Sequence, residues 1–246
     1  YSYIAKQDYR LNPEHPPLIK ALSAYSSWLF AKPYFPTDTN AWQKDINGQW
    51  TQGAIFLYES SNDADKIIFW ARFPLILLTI LLGFIIFSWT KKRFGENTAL
   101  LALILYAFSP TVLAHGRYVT TDLGAAFGFF IGLLAFLKFL EKPVWKNVLL
   151  LGVALGTTML LKFSLVLLLP VFLIVILARA KEFFKLIGKL FIAGLLGIII
   201  IWGVYYFFNY NYPQTKQLAD AESTLASYPN KALAGLDLWL IKNSAT

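Results

Sequence analysis

Apolar and polar positions divide the chain into three stretches. In residues 1–66 every apolar run is too short to cross a bilayer, because prolines, amides and charges interrupt each one. Within that stretch Leu18–Phe30 carries apolar residues at helical spacing between aromatic ends. This pattern predicts a helix lying in the membrane interface, with Leu18, Leu22 and Tyr25 on one face. A loop over 33–65 follows, with a second short interfacial segment expected near 54–58. From Ile67 the pattern changes. Residues 67–90 form an apolar run whose one charge is Arg72, and about 20 such residues suffice for a transmembrane helix. Further spans are expected at 98–114, with Pro110 near its far end, at 123–140 and at 190–208. The runs 148–161 and 163–178 are short and separated by Lys162 alone. They read as two tilted spans or a helical hairpin, and either way the chain returns to the side it left. Residues 209–246 are polar and partly amphipathic.

Composition supports that division. Hydrophobic residues make up 57%, aromatic residues 17% and charged residues 15%, with a mean hydropathy of +0.53. Soluble domains are less apolar and about a quarter charged. The fold class is therefore all-α, a polytopic transmembrane helical bundle with interfacial helices in a long first external loop (1–66), a bundle (67–208) and an external tail (209–246). The absence of Cys excludes a disulfide scaffold and thiolate chemistry. Two His and no His/Cys cluster argue against a structural zinc site. The net charge of +8 belongs to topology rather than to nucleic acid. Lys91, Lys92 and Arg93, then Lys142 and Lys146, then Arg179, Lys181, Lys185 and Lys189 occupy one set of turns; the opposite set holds Arg117 and Lys162. The positive-inside rule makes the first set cytoplasmic. Trp28, Trp42, Trp50 and Trp70 fit an aromatic belt at the headgroup level. The chain starts at Tyr1 and stops at Thr246 without a signal peptide, and reads as an internal fragment of a longer protein.

This topology gathers the polar residues. Glu14, His15, His115, Arg117, Asp122 and Lys162 come from distant parts of the chain yet reach one membrane face, and Arg72 lies about one helical turn inside it. Ionisable residues at the rim of spans are costly and point into a cavity or at a partner. In Arg10-Leu-Asn-Pro-Glu-His-Pro-Pro-Leu-Ile-Lys20 the prolines hold Asn12, His15 and Pro16 extended. The same residues read as a helix start with Pro17 in the first turn. Asp122 opens a span whose next charge is Lys138. It reads as a functional carboxylate or as a favourable helix N-terminal charge, with Thr120 or Thr121 as cap. Arg117 reads equally as a salt-bridge partner of Asp122 or a substrate contact. Lys162 reads as a ligand or as a snorkelling hairpin tip, and Arg72 as an interfacial anchor before a ligand. Gly152/Gly156 and Gly194/Gly197 read as close helix packing.

Four segments together carry a resemblance: Asn12-Pro-Glu-His-Pro-Pro-Leu18, Ala71-Arg-Phe-Pro74, Phe108-Ser-Pro-Thr-Val-Leu-Ala-His-Gly-Arg-Tyr-Val-Thr-Thr-Asp122, and Leu161-Lys-Phe-Ser164. In this order the chain resembles the bacterial dolichyl-phosphate-mannose–protein mannosyltransferase-like family. These are integral-membrane glycosyltransferases of the GT-C class, which includes protein O-mannosyltransferases and lipid A aminoarabinose transferases. The resemblance implies transfer of a sugar from a polyprenyl-phosphate donor to a protein, lipid or glycan acceptor, on the external (periplasmic) face of the cytoplasmic membrane. It also implies a catalytic Asp-Glu pair shortly before Tyr1, outside this fragment. Asp122 sits where the family has its second important Asp, and Lys162 matches a Lys near the donor. Glu14 and His15 sit at an acidic-basic pair before proline, Glu14 being a contact for a possible divalent metal. His replaces the Lys of that pair, which makes the charge at that spot depend on pH.

The chemistry is consistent with these residues. An anomeric centre leaving phosphate develops oxocarbenium-like charge while the acceptor hydroxyl loses a proton. Cations stabilise the leaving phosphate, a task for Arg117, His15 and Lys162, with His115 and Arg72 further candidates. Asp122 and Glu14 are the candidate catalytic carboxylates, and direct displacement would invert the anomeric centre. Two other classes fit the composition. A lipid or anionic-solute transporter would use the same cations without chemistry, but the internal repeats typical of transporters are missing. A structural subunit would place no premium on Asp122 or Glu14.

Overall fold

The structure is a computed structural model that describes residues 1–179 and 182–243; Lys181 and the last three residues of the tail lie outside the described residues. Among the described residues every regular element is a helix. The first loop holds α1 (Ser2–Ala5), α2 (Leu18–Phe30), α3 (Asn40–Gln43) and α4 (Gln49–Ala54), the last continuing into a π-turn at Ile55–Glu59. The bundle holds α5 (Ala64–Phe94), α6 (Glu96–Ala107), α7 (Pro110–His115), α8 (Thr121–Glu141), α9 (Trp145–Leu161), a 3₁₀ segment (Phe163–Leu167), α10 (Leu168–Leu177) and α11 (Phe183–Asn209). The tail forms α12 (Gln214–Ala226) and α13 (Lys231–Asn243). Helices α5, α8 and α11 are each long and apolar enough to cross a membrane, whereas α6, α9 and the Phe163–Leu177 segment are shorter.

Two expected elements are divided. The 98–114 run breaks at Phe108–Ser109, because Ser109 precedes proline and is extended (ψ 123°), and Pro110 then opens α7. The run from Phe163 starts as 3₁₀ before becoming α10.

Packing follows membrane logic rather than soluble logic. Helix α2 has the expected bounds, but its inward face is Ile19, Ser23, Ala24 and Ser27, while Leu22 and Tyr25 are exposed. Small residues let α2 approach α5 closely, and its large side chains turn outward. The Ser27 hydroxyl donates to Ser23 O at 3.0 Å and also lies 3.2 Å from Ile67 O on α5. Likewise α9 meets α11 through glycine: a Cβ on Gly152 would lie 2.9 Å from Ala193 O, and one on Gly156 3.0 Å from Gly197 O. Gly194 faces open space, so only Gly197 of its pair serves the contact. The largest core cluster joins α8, α9, α10 and α11, with the Phe136 and Phe172 rings stacked 3.8 Å apart. Trp42 is buried against Phe35 and over Arg10, not in an aromatic belt.

A second, smaller cluster joins four helices from distant parts of the chain. Ile19 of α2 packs with Leu75 of α5, Leu123 of α8 and Leu161 of α9. A Cβ on Gly124 would meet Ile19 Cγ1 at 2.8 Å, so glycine is what admits this side chain. One residue thereby fixes the end of the proline segment over the start of α8 and the end of α9. At the opposite end of the bundle Arg93 pairs with Glu141, Arg179 donates to Leu140 O at 3.0 Å, and Lys189 reaches Pro143 O. Several cations of the expected cytoplasmic set therefore share one end.

Candidate functional site

The site is assembled by α8–α9 packing. Thr158, fully buried on α9, donates to Gly128 O on α8 at 3.0 Å. Thr158 lies about one turn before Lys162, and Gly128 nearly two turns after Asp122. The register they fix brings Lys162 Nζ to 3.0 Å from Asp122 Oδ1, across 40 positions of sequence. Asp122 occupies the first turn of α8 behind an extended Thr120, which makes no side-chain cap bond. Lys162 has an extended backbone (φ −158°) between α9 and the 3₁₀ segment, so it projects from the hairpin tip. His115 Nδ1 stands 3.8 Å from the second oxygen of Asp122. The Asp122 and Lys162 side chains are 52% and 34% exposed, which leaves the pair open to a ligand.

Arg117 does not join that carboxylate. Its guanidinium lies over the Tyr118 ring at 5.2 Å, with Nη2 3.3 Å from the hydroxyl, and the Arg72 guanidinium lies 5.2 Å from the same ring. The Asp122–Arg117 salt bridge is replaced because Lys162 and His115 already face both oxygens. Among the described residues neither arginine has an acidic partner within salt-bridge distance. The turn that carries them is anchored: Thr79 on α5 donates to Gly116 O at 2.9 Å, and Tyr106 on α6 donates to Thr79 O at 2.8 Å. Beneath Arg117, an apolar groove of about 520 Å³ runs between α5, α6 and α7, lined by Ile80, Phe84, Leu103 and Leu113 among others.

The proline segment is placed at the same end through Ile19 but keeps its own contacts. Glu14 Oε1 accepts from Asn47 at 2.8 Å, and His15 is exposed, its carbonyl taking Tyr9 OH and Lys20 Nζ. Lys20 also donates to Asn12 O and Oδ1 at 2.9 and 2.8 Å and lies 5.1 Å from the Tyr3 and Tyr9 rings. Burial pulls its ammonium down to about 7, with the Glu14 charge opposing. Burial also pushes the Tyr3 and Tyr9 phenols up. Lys20 thus belongs to the scaffold of the segment.

Asp8 escaped the sequence reading. It is almost fully buried and binds Arg10 through Nε at 3.0 Å and Nη2 at 2.6 Å; Arg10 donates from Nη1 to Trp42 O at 3.1 Å and stacks on that indole at 4.3 Å. The acid-to-base spacing of two was its only signal. No group of three or more His, Asp or Glu among the described residues is placed to hold a metal ion. Glu14 alone is a poor donor set for a divalent cation.

No curated protein and no solved structure matches the chain significantly. The model of the dolichyl-phosphate-mannose-protein mannosyltransferase family matches residues 64–207, from the start of α5 to near the end of α11. That range includes Arg72, His115, Arg117, Asp122 and Lys162. With more than half of its 246 residues matched and three helices able to span a membrane, the chain belongs to the dolichyl-phosphate-mannose-protein mannosyltransferase family, multi-pass membrane glycosyltransferases that draw on a polyprenyl-phosphate-linked sugar.

Proposed function

We propose that the chain forms the bundle and external loop of an inverting transferase. It moves a sugar from a polyprenyl-phosphate donor to an acceptor on the external face of the cytoplasmic membrane, and the short helices complete six crossings. The observation that carries this reading is the joint placement, at one bundle end, of an open Asp122–Lys162–His115 cluster and of Arg117 at the head of an apolar groove, with Arg72 near it on the shared Tyr118 ring, neither arginine having a carboxylate partner. An anionic head on an apolar tail fits that arrangement. Arg117 and Arg72 take the phosphate and the groove takes the first isoprene units.

In the reaction the acceptor oxygen bonds to the anomeric carbon as the bond from that carbon to the phosphate oxygen breaks. The electron pair stays on the polyprenyl phosphate, and the hydroxyl proton passes to a carboxylate. Lys162, held by Asp122, adds positive charge where the phosphate leaves. Asp122 orders Lys162 and His115 and positions the acceptor. The proton falls to the acidic pair that the family resemblance implies. Glu14 and His15, brought to this end by Ile19, border the donor sugar.

The test is donor kinetics in the full-length enzyme. Arg117→Ala and Arg72→Ala are expected to raise the donor KM about tenfold or more, the loss of one charge-assisted contact. Unchanged donor KM in both variants would remove the phosphate assignment. The groove suits a lipid transporter equally well. Movement of a labelled polyprenyl phosphate across vesicles without any sugar transfer would favour that reading instead.

A further inference from the structure

A second cavity, of about 550 Å³, lies under α12 and α13. It reaches toward the site through chain neighbours: Phe163, next to Lys162, and Pro13, next to Glu14, line it, while Asp122, Lys162 and His115 do not. Its lining is more mixed than that of the donor groove, although Phe163, Leu225, Leu240 and Ile241 keep it largely apolar. Aromatic rings from Tyr9, Tyr205 and Tyr212 stand beside the planar polar groups of Asn209, Gln217, Asp220 and Asp237. No Lys or Arg lines it, so it is not built for phosphate.

The polar groups are incompletely used. Asn209 Oδ1 is buried and has no hydrogen-bond partner, a state that calls for an explanation because buried polar atoms are normally paired. Asp237 forms no ion pair among the described residues. Asp220 is the exception, since it accepts from Tyr212 OH and pairs with Lys216 Nζ at 2.7 Å. Amide and carboxylate oxygens between aromatic faces match a neutral polyol, which offers hydroxyl donors along its edge and apolar C–H faces above and below. A peptide is the weaker match. Extended peptides are captured by strand edges, and there is no strand among the described residues.

We propose that this cavity is a carbohydrate subsite for the acceptor, which makes the acceptor a glycan or glycolipid and delivers its hydroxyl past Phe163 to the Asp122–Lys162 pair. The proposal rests on the transferase reading for the word acceptor, but carbohydrate binding itself does not. The step is the displacement already written, with the acceptor oxygen supplied by a saccharide.

Saturation-transfer NMR on the detergent-solubilised full-length protein tests it, with mannobiose, chitobiose and gentiobiose as probes and a Ser/Thr-rich peptide as the contrast. At least one saccharide is expected to give a signal that falls fivefold or more in a Gln217→Leu/Asp237→Leu variant. Thr224→Trp, which fills the cavity from an exposed position on α12, should do the same and guards against a misfolded double variant. No saccharide signal, or a signal equal in both variants, overturns the proposal. Transfer to the peptide without saccharide binding sinks the subsite and leaves the transferase intact. Saccharide binding with no sugar transfer keeps a carbohydrate site and sinks its role as acceptor.

Discussion

Among single residues, the informative contrast is between charges that hold structure and charges left open. Asp8 and Arg10 are both buried and satisfy each other. Removing one partner of a buried pair leaves an uncompensated charge, at a cost of about 3–5 kcal/mol. Asp8→Ala is therefore expected to lower stability by that order in a denaturation measurement, and a change below about 1 kcal/mol would contradict the burial argument. Lys20 supplies a pH signature. Unfolded, it keeps its proton to its ordinary value of 10.5, whereas the folded chain releases it near 7. Between these values the unfolded state binds more protons, so Lys20 adds stability as pH rises through the window. Melting profiles from pH 7 to 10 should show that rise in the native protein and lose it in Lys20→Met; parallel profiles would refute it. Arg10 and Lys20 flank the proline segment in the sequence. Their burial partners, Asp8, Trp42 and the Tyr3–Tyr9 pair, arrive through loop folding that periodicity does not encode.

For the helical elements, small residues decide which helices touch. The α9–α11 contact needs glycine where a Cβ would strike backbone oxygen. Gly152→Ala and Gly156→Ala are expected to destabilise by about 1–3 kcal/mol through overpacking. Gly194→Ala, which faces open space, should be neutral or stabilising by up to about 1 kcal/mol through helix propensity. If Gly156→Ala and Gly194→Ala melted alike, this helix contact would be misplaced. Element bounds were largely legible. Pro17 and the end of its apolar run set α2, and the switch at Ile67 marks the apolar body of α5. The face of α2 was not legible, because close packing on α5 selects Ser23, Ala24 and Ser27 for burial rather than Leu22 and Tyr25. The break at Ser109–Pro110 was signalled by the proline, yet the unbroken apolar pattern masked it.

At the scale of the whole molecule, the bundle sorts charge to its two ends, and at one of them an apolar groove lies beneath Arg117. Charge asymmetry along the sequence announced which residues share that end. The Asp122–Lys162 contact was hidden, because it depends on the register that Thr158 and Gly128 impose between two helices. Of the two readings of Arg117, the salt bridge to Asp122 is absent for the same reason. We propose that Asp122 and Lys162 act as one unit in sugar transfer, which a double-mutant cycle on kcat in the full-length enzyme would reveal. Asp122→Asn and Lys162→Met should each lower transfer from a polyprenyl-phosphate sugar by about a hundredfold or more, and the double variant should lose little beyond either one. Undiminished transfer in Asp122→Asn, or losses that simply multiply, would contradict the account.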